Sequence, residues 1–117
     1  MRGTVTEAYR AAYPDPLEVT AGERLALGKR DAEFPGWIWA TNAAGKSGWA
    51  PENYLKISHT QGTAVRDYTA AELTVEAGAE LELLDFESGW YWAETREGAR
   101  GWVPASCVRA ENRQNHQ

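Results

Sequence analysis

The chain has 117 residues, a formal net charge of −5 at pH 7 and a single cysteine. The acidic charge and the lack of a basic run argue against a nucleic-acid partner, since phosphate binding needs clustered Lys and Arg. One cysteine cannot form a disulfide within the chain, which fits a reducing compartment. No apolar window reaches the length of a membrane span, and "MRGTVTEAYRAAYPD" lacks the apolar core of a signal peptide. We therefore expect a cytoplasmic protein with no membrane partner.

The chain contains an internal repeat. "LEVTAGERLAL" at 17–27 matches "LTVEAGAELEL" at 73–83, and "GWIWATNAAGKSGWAP" at 36–51 matches "GWYWAETREGARGWVP" at 89–104. The offset falls from 56 to 53 residues between these matches, so the first copy has three extra residues just before Trp37, in a loop. The repeats predict a first domain over 1–57, a linker over 58–63, a second domain over 64–109 and a disordered tail over 110–117.

In chain order, each repeat predicts the same short β-strands. "ERLALGK" and "AELELLD" alternate apolar and polar residues, and "WIWAT" and "WYWAET" are rich in aromatic residues that suit strands. Gly45 and Gly98 fall at hairpin tips. Pro51 and Pro104 then end a strand, because proline cannot donate to a ladder, and a short helical turn and a last strand follow. These elements predict an all-β fold class, with two tandem small five-stranded barrels.

These motifs resemble the SH3 domain, in a divergent variant of the bacterial type. "AVRDYTA" resembles the family's "ALYDY" opening, "GWYWAE" its "WW.A" strand and "GWVPASCV" its "G.IP.NYV" ending, and the first copy has "GWIWAT" and "GWAPENYL" at the same places. The resemblance covers about residues 4–57 and 62–109. It implies five-stranded SH3-like barrels whose aromatic grooves bind proline-rich peptides in the polyproline II form.

The resemblance also implies groove residues. Carried onto this sequence, the peptide-binding positions are Tyr13, Trp37, Pro51, Tyr54, Tyr68, Trp90 and Pro104. Three positions depart from the family: Arg10 and Arg66 stand where a groove tyrosine is usual, and Cys107 replaces the tyrosine that the first copy keeps as Tyr54. Only four residues separate Tyr68 from Leu73, so the loop after the opening motif is short.

Acidic residues precede each groove tryptophan, at Asp31, Glu33, Asp85 and Glu87. They are predicted either to attract a basic residue of a ligand or to form a solvated loop. The remaining tryptophans, Trp39, Trp92, Trp49 and Trp102, are predicted to pack structurally. Cys107 has no catalytic partner or metal-binding spacing, so we expect a small buried or groove-edge residue, no metal and no cofactor.

We predict a non-catalytic adaptor that binds peptide segments of a protein partner, including proline-containing ones. One alternative is an assembly protein whose aromatic faces mediate docking or a homodimer. A second is a cell-wall or glycan-binding SH3-like module. No constellation of acid, base and nucleophile points to an enzyme.

Overall fold

The computed structural model describes residues 1–13 and 15–111. Its strands, in chain order, are β1 (Arg2–Val5), β2 (Glu18–Val19), β3 (Arg24–Arg30), β4 (Trp37–Thr41), β5 (Ser47–Pro51), β6 (Leu55–Ser58), β7 (Gln61–Ala64), β8 (Tyr68–Thr69), β9 (Glu80–Glu87), β10 (Trp90–Thr95), β11 (Arg100–Pro104) and β12 (Val108–Ala110). Short 3-10 turns span Glu52–Tyr54 and Ala105–Cys107. The all-β fold class is confirmed, and so is the turn after each proline.

The described chain forms two compact units. The central unit is Tyr13–Ala71, and the terminal unit joins Met1–Ala12 to the chain from Glu72 onward. Each unit has one five-stranded antiparallel sheet, in the order β5-β4-β3-β7-β6 for the central unit and β11-β10-β9-β1-β12 for the terminal unit. The central unit also contains the short β2–β8 pair.

The compact units do not coincide with the sequence repeats, because the opening strands are exchanged. Strand β1 opens the first repeat but lies between β9 and β12, which belong to the second. Strand β7 opens the second repeat but lies between β3 and β6 of the first. The chain crosses from one unit to the other after Ala12 and returns after Ala71. Each five-stranded sheet therefore contains one strand from one repeat and four from the other.

The exchange follows from local geometry at the predicted linker, 58–63. Ser58 pairs directly with Gln61, so β6 and β7 form a hairpin with only His59 and Thr60 in the turn. His59 takes a positive φ of 57°, as two-residue hairpin turns require. Because β7 folds straight back onto β6, it fills the place that β1 would otherwise hold in that sheet. The segment acts as a hairpin rather than as a spacer.

Alternating side chains build the core of each unit. In β9, Leu81 and Leu83 point inward, as the alternation in the sequence predicts, and Leu25 does the same in β3. The core of the terminal unit contains Val5, Leu73, Val75, Leu81, Leu83, Ala93, Val103 and Cys107. Val5 comes from the exchanged strand, so this core depends on both repeats.

Glycine allows the exchanged strand β1 to pack closely. A Cβ at Gly3 would lie 2.8 Å from Cγ1 of Val108 and 2.9 Å from Cδ1 of Leu83, closer than side chains approach. The hairpin tips behave as predicted, with positive φ at Gly45 and Gly98. Of the predicted tail, residues 112–117 lie outside the described residues, whereas Ala110 ends β12.

Candidate functional site

Backbone hydrogen bonds show which positions of the two opening strands are equivalent. The amide of Val5 donates to Ala79 (2.8 Å), and the amide of Ala64 donates to Glu23 (2.9 Å). Ala79 and Glu23 are themselves matched by the 56-residue repeat offset. Val5 therefore corresponds to Ala64, at an offset of 59 residues.

This register corrects the sequence alignment of the first repeat by three residues. The amide of Thr6 donates to Cys107 (2.8 Å), as the amide of Val65 does to Tyr54 (2.9 Å). Counting onward, Glu7 corresponds to Arg66, and Tyr9 corresponds to Tyr68. Arg10 and Tyr13, the positions expected from sequence, do not hold these places.

In the central unit the structure places four of the predicted groove residues in two pairs. Trp37 on β4 lies directly opposite Pro51 on β5. The rings of Tyr54 and Tyr68 meet edge to face at 5.6 Å, and the Tyr68 hydroxyl donates to the carbonyl of Trp49 (2.6 Å). Tyr68 comes from the second repeat. The strand exchange therefore places this tyrosine in the unit that contains the later strands of the first repeat.

These central rings are buried. Trp37 is 4 % exposed, and Tyr54 and Tyr68 are each 8 % exposed. The guanidinium carbon of Arg66 lies 4.2 Å from the centre of the Tyr54 ring. A cation over an aromatic face is attracted by the ring quadrupole, and here it also covers the ring. Little aromatic surface of this set faces solvent.

In the terminal unit the corresponding set is smaller and more open. Tyr9 and Trp90 meet edge to face at 5.8 Å, with 83° between their planes, and both side chains are half-buried. Trp90 lies directly opposite Pro104. The Tyr9 hydroxyl donates to Glu72 (2.9 Å), whose carboxylate also accepts the amide of Ala12 (2.8 Å). Through these two hydrogen bonds, the Glu72 carboxylate holds Tyr9 in place beside Trp90.

The other tryptophans pack in pairs across neighbouring strands. Trp39 and Trp49 lie opposite each other with ring centres 5.1 Å apart, and Trp92 and Trp102 repeat this at 5.3 Å. Tyr13, 40 % exposed, adds a third ring to the central pair at 5.8 Å from Trp39. Such aromatic pairs contribute about 0.5–1.5 kcal/mol beyond their buried area. Tyr13 therefore packs on Trp39 rather than standing in the place of Tyr68.

The predicted acidic residues differ in what they contact. The carboxylate of Asp31 accepts the amides of Glu33 (2.8 Å) and Phe34 (3.2 Å) and so shapes its own loop. Asp85 accepts the amide of Phe86 (2.8 Å), and Glu87 accepts the hydroxyl of Ser88 (2.7 Å). Asp85 and Glu87 lie at the end of β9, just before Trp90.

The Met1–Glu82 and Asp15–Lys46 ion pairs each shift a pKa value, and neither pair includes a groove residue. The α-ammonium of Met1, 2.9 Å from Glu82, lowers the pKa of that carboxyl. Asp15, 2.9 Å from Lys46, raises the pKa of that ammonium.

Among residues 1–13 and 15–111, no cluster of three or more His, Cys, Asp or Glu side chains could hold a metal ion. No helix in the same range is long and apolar enough to span a membrane.

The family assignment rests on two matched segments. A family model described as the variant SH3 domain matches residues 2–58 and 62–111. The chain therefore belongs to the variant SH3 domain family, as a tandem pair. Members of this family are generally non-catalytic interaction modules, so the chain is at this level a protein-interaction module.

Curated relatives agree with this assignment. The human SH3 and PX domain-containing protein 2B is 32% identical over 82 residues, covering 67% of this chain and 9% of that protein. The fruit-fly protein nervous wreck is 35% identical over 72 residues, covering 60% of this chain and 6% of that protein. The chain thus spans less than a tenth of either relative. No solved structure matches the chain.

Sequence reasoning missed Tyr9 and Glu72 as members of the terminal set. A signal for Tyr9 exists: both repeats place a tyrosine five residues after a Gly-Thr pair, in "GTVTEAY" and "GTAVRDY". Aligning Gly3 with Gly62 gives the register that the hydrogen bonds show. The "LEVTAGERLAL" match, at an offset of 56 residues, gave the different register in which Arg10 was aligned with Arg66.

Proposed function

We propose that the chain binds peptide segments of a protein partner, and that the groove of the terminal unit is its principal site for proline-containing ones. The observation that carries this is the half-buried Tyr9–Trp90 pair beside Pro104. Ring faces at such a site receive proline rings. A polyproline II peptide is already extended, so it also loses little entropy on binding.

Charge supports a basic flank on that ligand. Glu7, Asp85 and Glu87 belong to the same unit and are near Tyr9 or Trp90 in sequence. Counted over Met1–Ala12 and from Glu72 to the C-terminus, the unit has six basic and ten acidic residues, a net charge of −4. An acidic surface speeds encounter with a basic ligand and selects it over an acidic one. The roles of Asp31 and Glu33 in charge selection, and a cytoplasmic location, stay predictions.

The test compares two half-buried tryptophans, Trp90 and Trp39. The purified chain, Trp90→Ala and the matched control Trp39→Ala are applied to an array of proline-containing peptides with Lys, Gln or Glu flanks. We expect Trp90→Ala to lose binding of the Lys-flanked peptides by about tenfold or more, as removal of an aromatic anchor does. Trp39→Ala, whose ring packs on Trp49 in the other unit, keeps it. Equal retention by all three proteins would contradict the proposal.

An assembly role is a second candidate, supported by an exposed apolar surface. Leu84 and Phe86 at the end of β9 are 43 % and 53 % exposed, whereas the matching positions of β3 are Gly28 and Arg30. The fold therefore does not require apolar side chains there, and exposed apolar patches commonly mark protein contacts. Sedimentation of wild type and Phe86→Glu measures this. A concentration-dependent dimer that the variant lacks would favour assembly, and a monomer throughout would remove it.

A further inference from the structure

The two grooves carry opposite charges at one equivalent position. Arg66 follows β7 in the central unit, and Glu7 follows β1 in the terminal unit. Their equivalence rests on the neighbouring amides, since Val65 donates to Tyr54 as Thr6 donates to Cys107. Both side chains are exposed. The same place in the same fold therefore presents a cation in one unit and an anion in the other.

Arg66 is held in position without an acidic partner. Its guanidinium lies over the Tyr54 ring at 4.2 Å, and no carboxylate in residues 1–13 or 15–111 is within ion-pair distance of it. The adjacent Asp67 instead accepts the amide of Ala21 (2.9 Å). A guanidinium that lies on a ring keeps its N–H donors, which match the two oxygens of a carboxylate.

The charge of Arg66 is the main feature that the central groove residues expose to solvent. Trp37, Tyr54 and Tyr68 are buried, so they offer little ring surface to a proline. The unit is also less acidic than its counterpart, with six basic and seven acidic residues and a net charge of −1 over Tyr13–Ala71. Repulsion of an anionic ligand is correspondingly weaker here.

We infer that Arg66 makes the central unit a site for an acidic peptide, which it binds through a Glu or Asp carboxylate. The inference rests on the proposed role of the chain in peptide binding. It adds a second ligand class, opposite in charge to the one proposed for the terminal unit. A partner that carries a basic and an acidic segment could engage both units at once, with a gain from effective concentration.

The experiment uses the full chain labelled with nitrogen-15 and three synthetic peptides that differ only in one residue, Glu, Gln or Lys. We expect the Glu peptide to shift the amide resonances around Arg66, Tyr54 and Tyr68. Arg66→Gln weakens this binding about tenfold, as loss of a charge-assisted hydrogen bond does. Arg66→Glu abolishes it and gives the Lys peptide a measurable affinity for the central unit.

The matched control is Arg24→Glu, the same charge change at another exposed arginine of the central unit. It should leave binding of the Glu peptide within about twofold, since nonspecific charge effects are screened by salt. If Arg24→Glu weakens binding as much as Arg66→Glu, or if the Glu and Lys peptides shift the same central resonances equally, the inference is overturned. Absence of any shift in the central unit also overturns it.

Failure of the proposed terminal site gives a different result. In that case the Lys peptide leaves the resonances of Tyr9 and Trp90 unchanged, while the Glu peptide still shifts those around Arg66. Because Arg66 and Arg24 are exposed, their variants are expected to fold, and the dispersion of the amide spectrum verifies this directly.

Discussion

The central and terminal units have the same strand order but use equivalent positions differently. Tyr54 and Tyr68 meet in the central unit, and Arg66 covers the Tyr54 ring. The terminal unit has Cys107 in place of Tyr54, and its Tyr9 turns to Trp90 instead. A missing tyrosine in one unit thus leaves the second tyrosine and the groove tryptophan more open. The comparison shows that a nearly complete set of groove residues can be closed, while a depleted set stays accessible.

The largest expected effect contrasts the two groove tryptophans in stability. Trp37→Ala removes a buried ring and should lower the free energy of unfolding by about 3–5 kcal/mol. Trp90→Ala removes a half-buried ring and should cost about half as much, because less apolar surface leaves water on folding. Urea unfolding followed by circular dichroism measures both. Equal losses would show that the two grooves are equally closed.

The next prediction tests the strand exchange on which the comparison depends. Thr4 pairs with Arg109 across β1 and β12. In a Cys107→Ala background, Thr4→Cys with Arg109→Cys should form a disulfide within the monomer, since directly paired Cα atoms suit its geometry. Closing a loop of about 100 residues stabilises the chain by up to about 4 kcal/mol. Thermal unfolding with and without reductant measures this.

The control for that crosslink uses the pairing that an unexchanged fold would have. Thr63 pairs with Lys56, and Thr4 is the equivalent of Thr63, so an unexchanged β1 would lie beside Lys56. Thr4→Cys with Lys56→Cys should therefore stay reduced. A disulfide in this variant, with none in the first, would mean that each repeat keeps its own opening strand. A disulfide-linked dimer of the first variant would place the exchange between chains.

The smallest effect sharpens the comparison at the two tyrosines. Tyr68→Phe removes the hydrogen bond to the Trp49 carbonyl and should cost about 1 kcal/mol, the usual net value for a buried hydrogen bond. Tyr9→Phe should cost less, about 0.5 kcal/mol, because Tyr9 is half-buried and the Glu72 carboxylate keeps the amide of Ala12 as a donor. Chemical denaturation of both variants decides the order, and a larger loss for Tyr9→Phe would reverse our view of which tyrosine is held more firmly.

Local features of the fold were predictable from sequence because local rules determine them. Alternation at Leu81 and Leu83 gave the inward face of β9, and Gly45 and Gly98 gave the hairpin tips. Proline at 51 and 104 gave the end of a strand and the turn after it. The variant SH3 assignment followed from these motifs in order.

The exchange of β1 and β7 was not predicted, and the physical reason is the repeat itself. Both opening strands carry the same Gly-Thr start and fit the same kind of sheet, so alternation cannot say which sheet each one joins. The two-residue turn at His59 and Thr60 determines which sheet β7 joins. In the sequence this turn lies in a polar segment that was predicted to be a linker. Placement of Tyr68 in the unit that contains Trp37, rather than in the unit that contains Trp90, goes with that turn.

The crossing of the chain after Ala12 and Ala71 has a consequence for cleavage. A protease nick between His59 and Thr60 would produce two fragments, each of which donates a strand to both sheets. Neither fragment could leave without opening both hydrophobic cores, so the nicked protein should remain one particle under native conditions. The intact turn directs the strand exchange during folding, but it is dispensable once folding is complete.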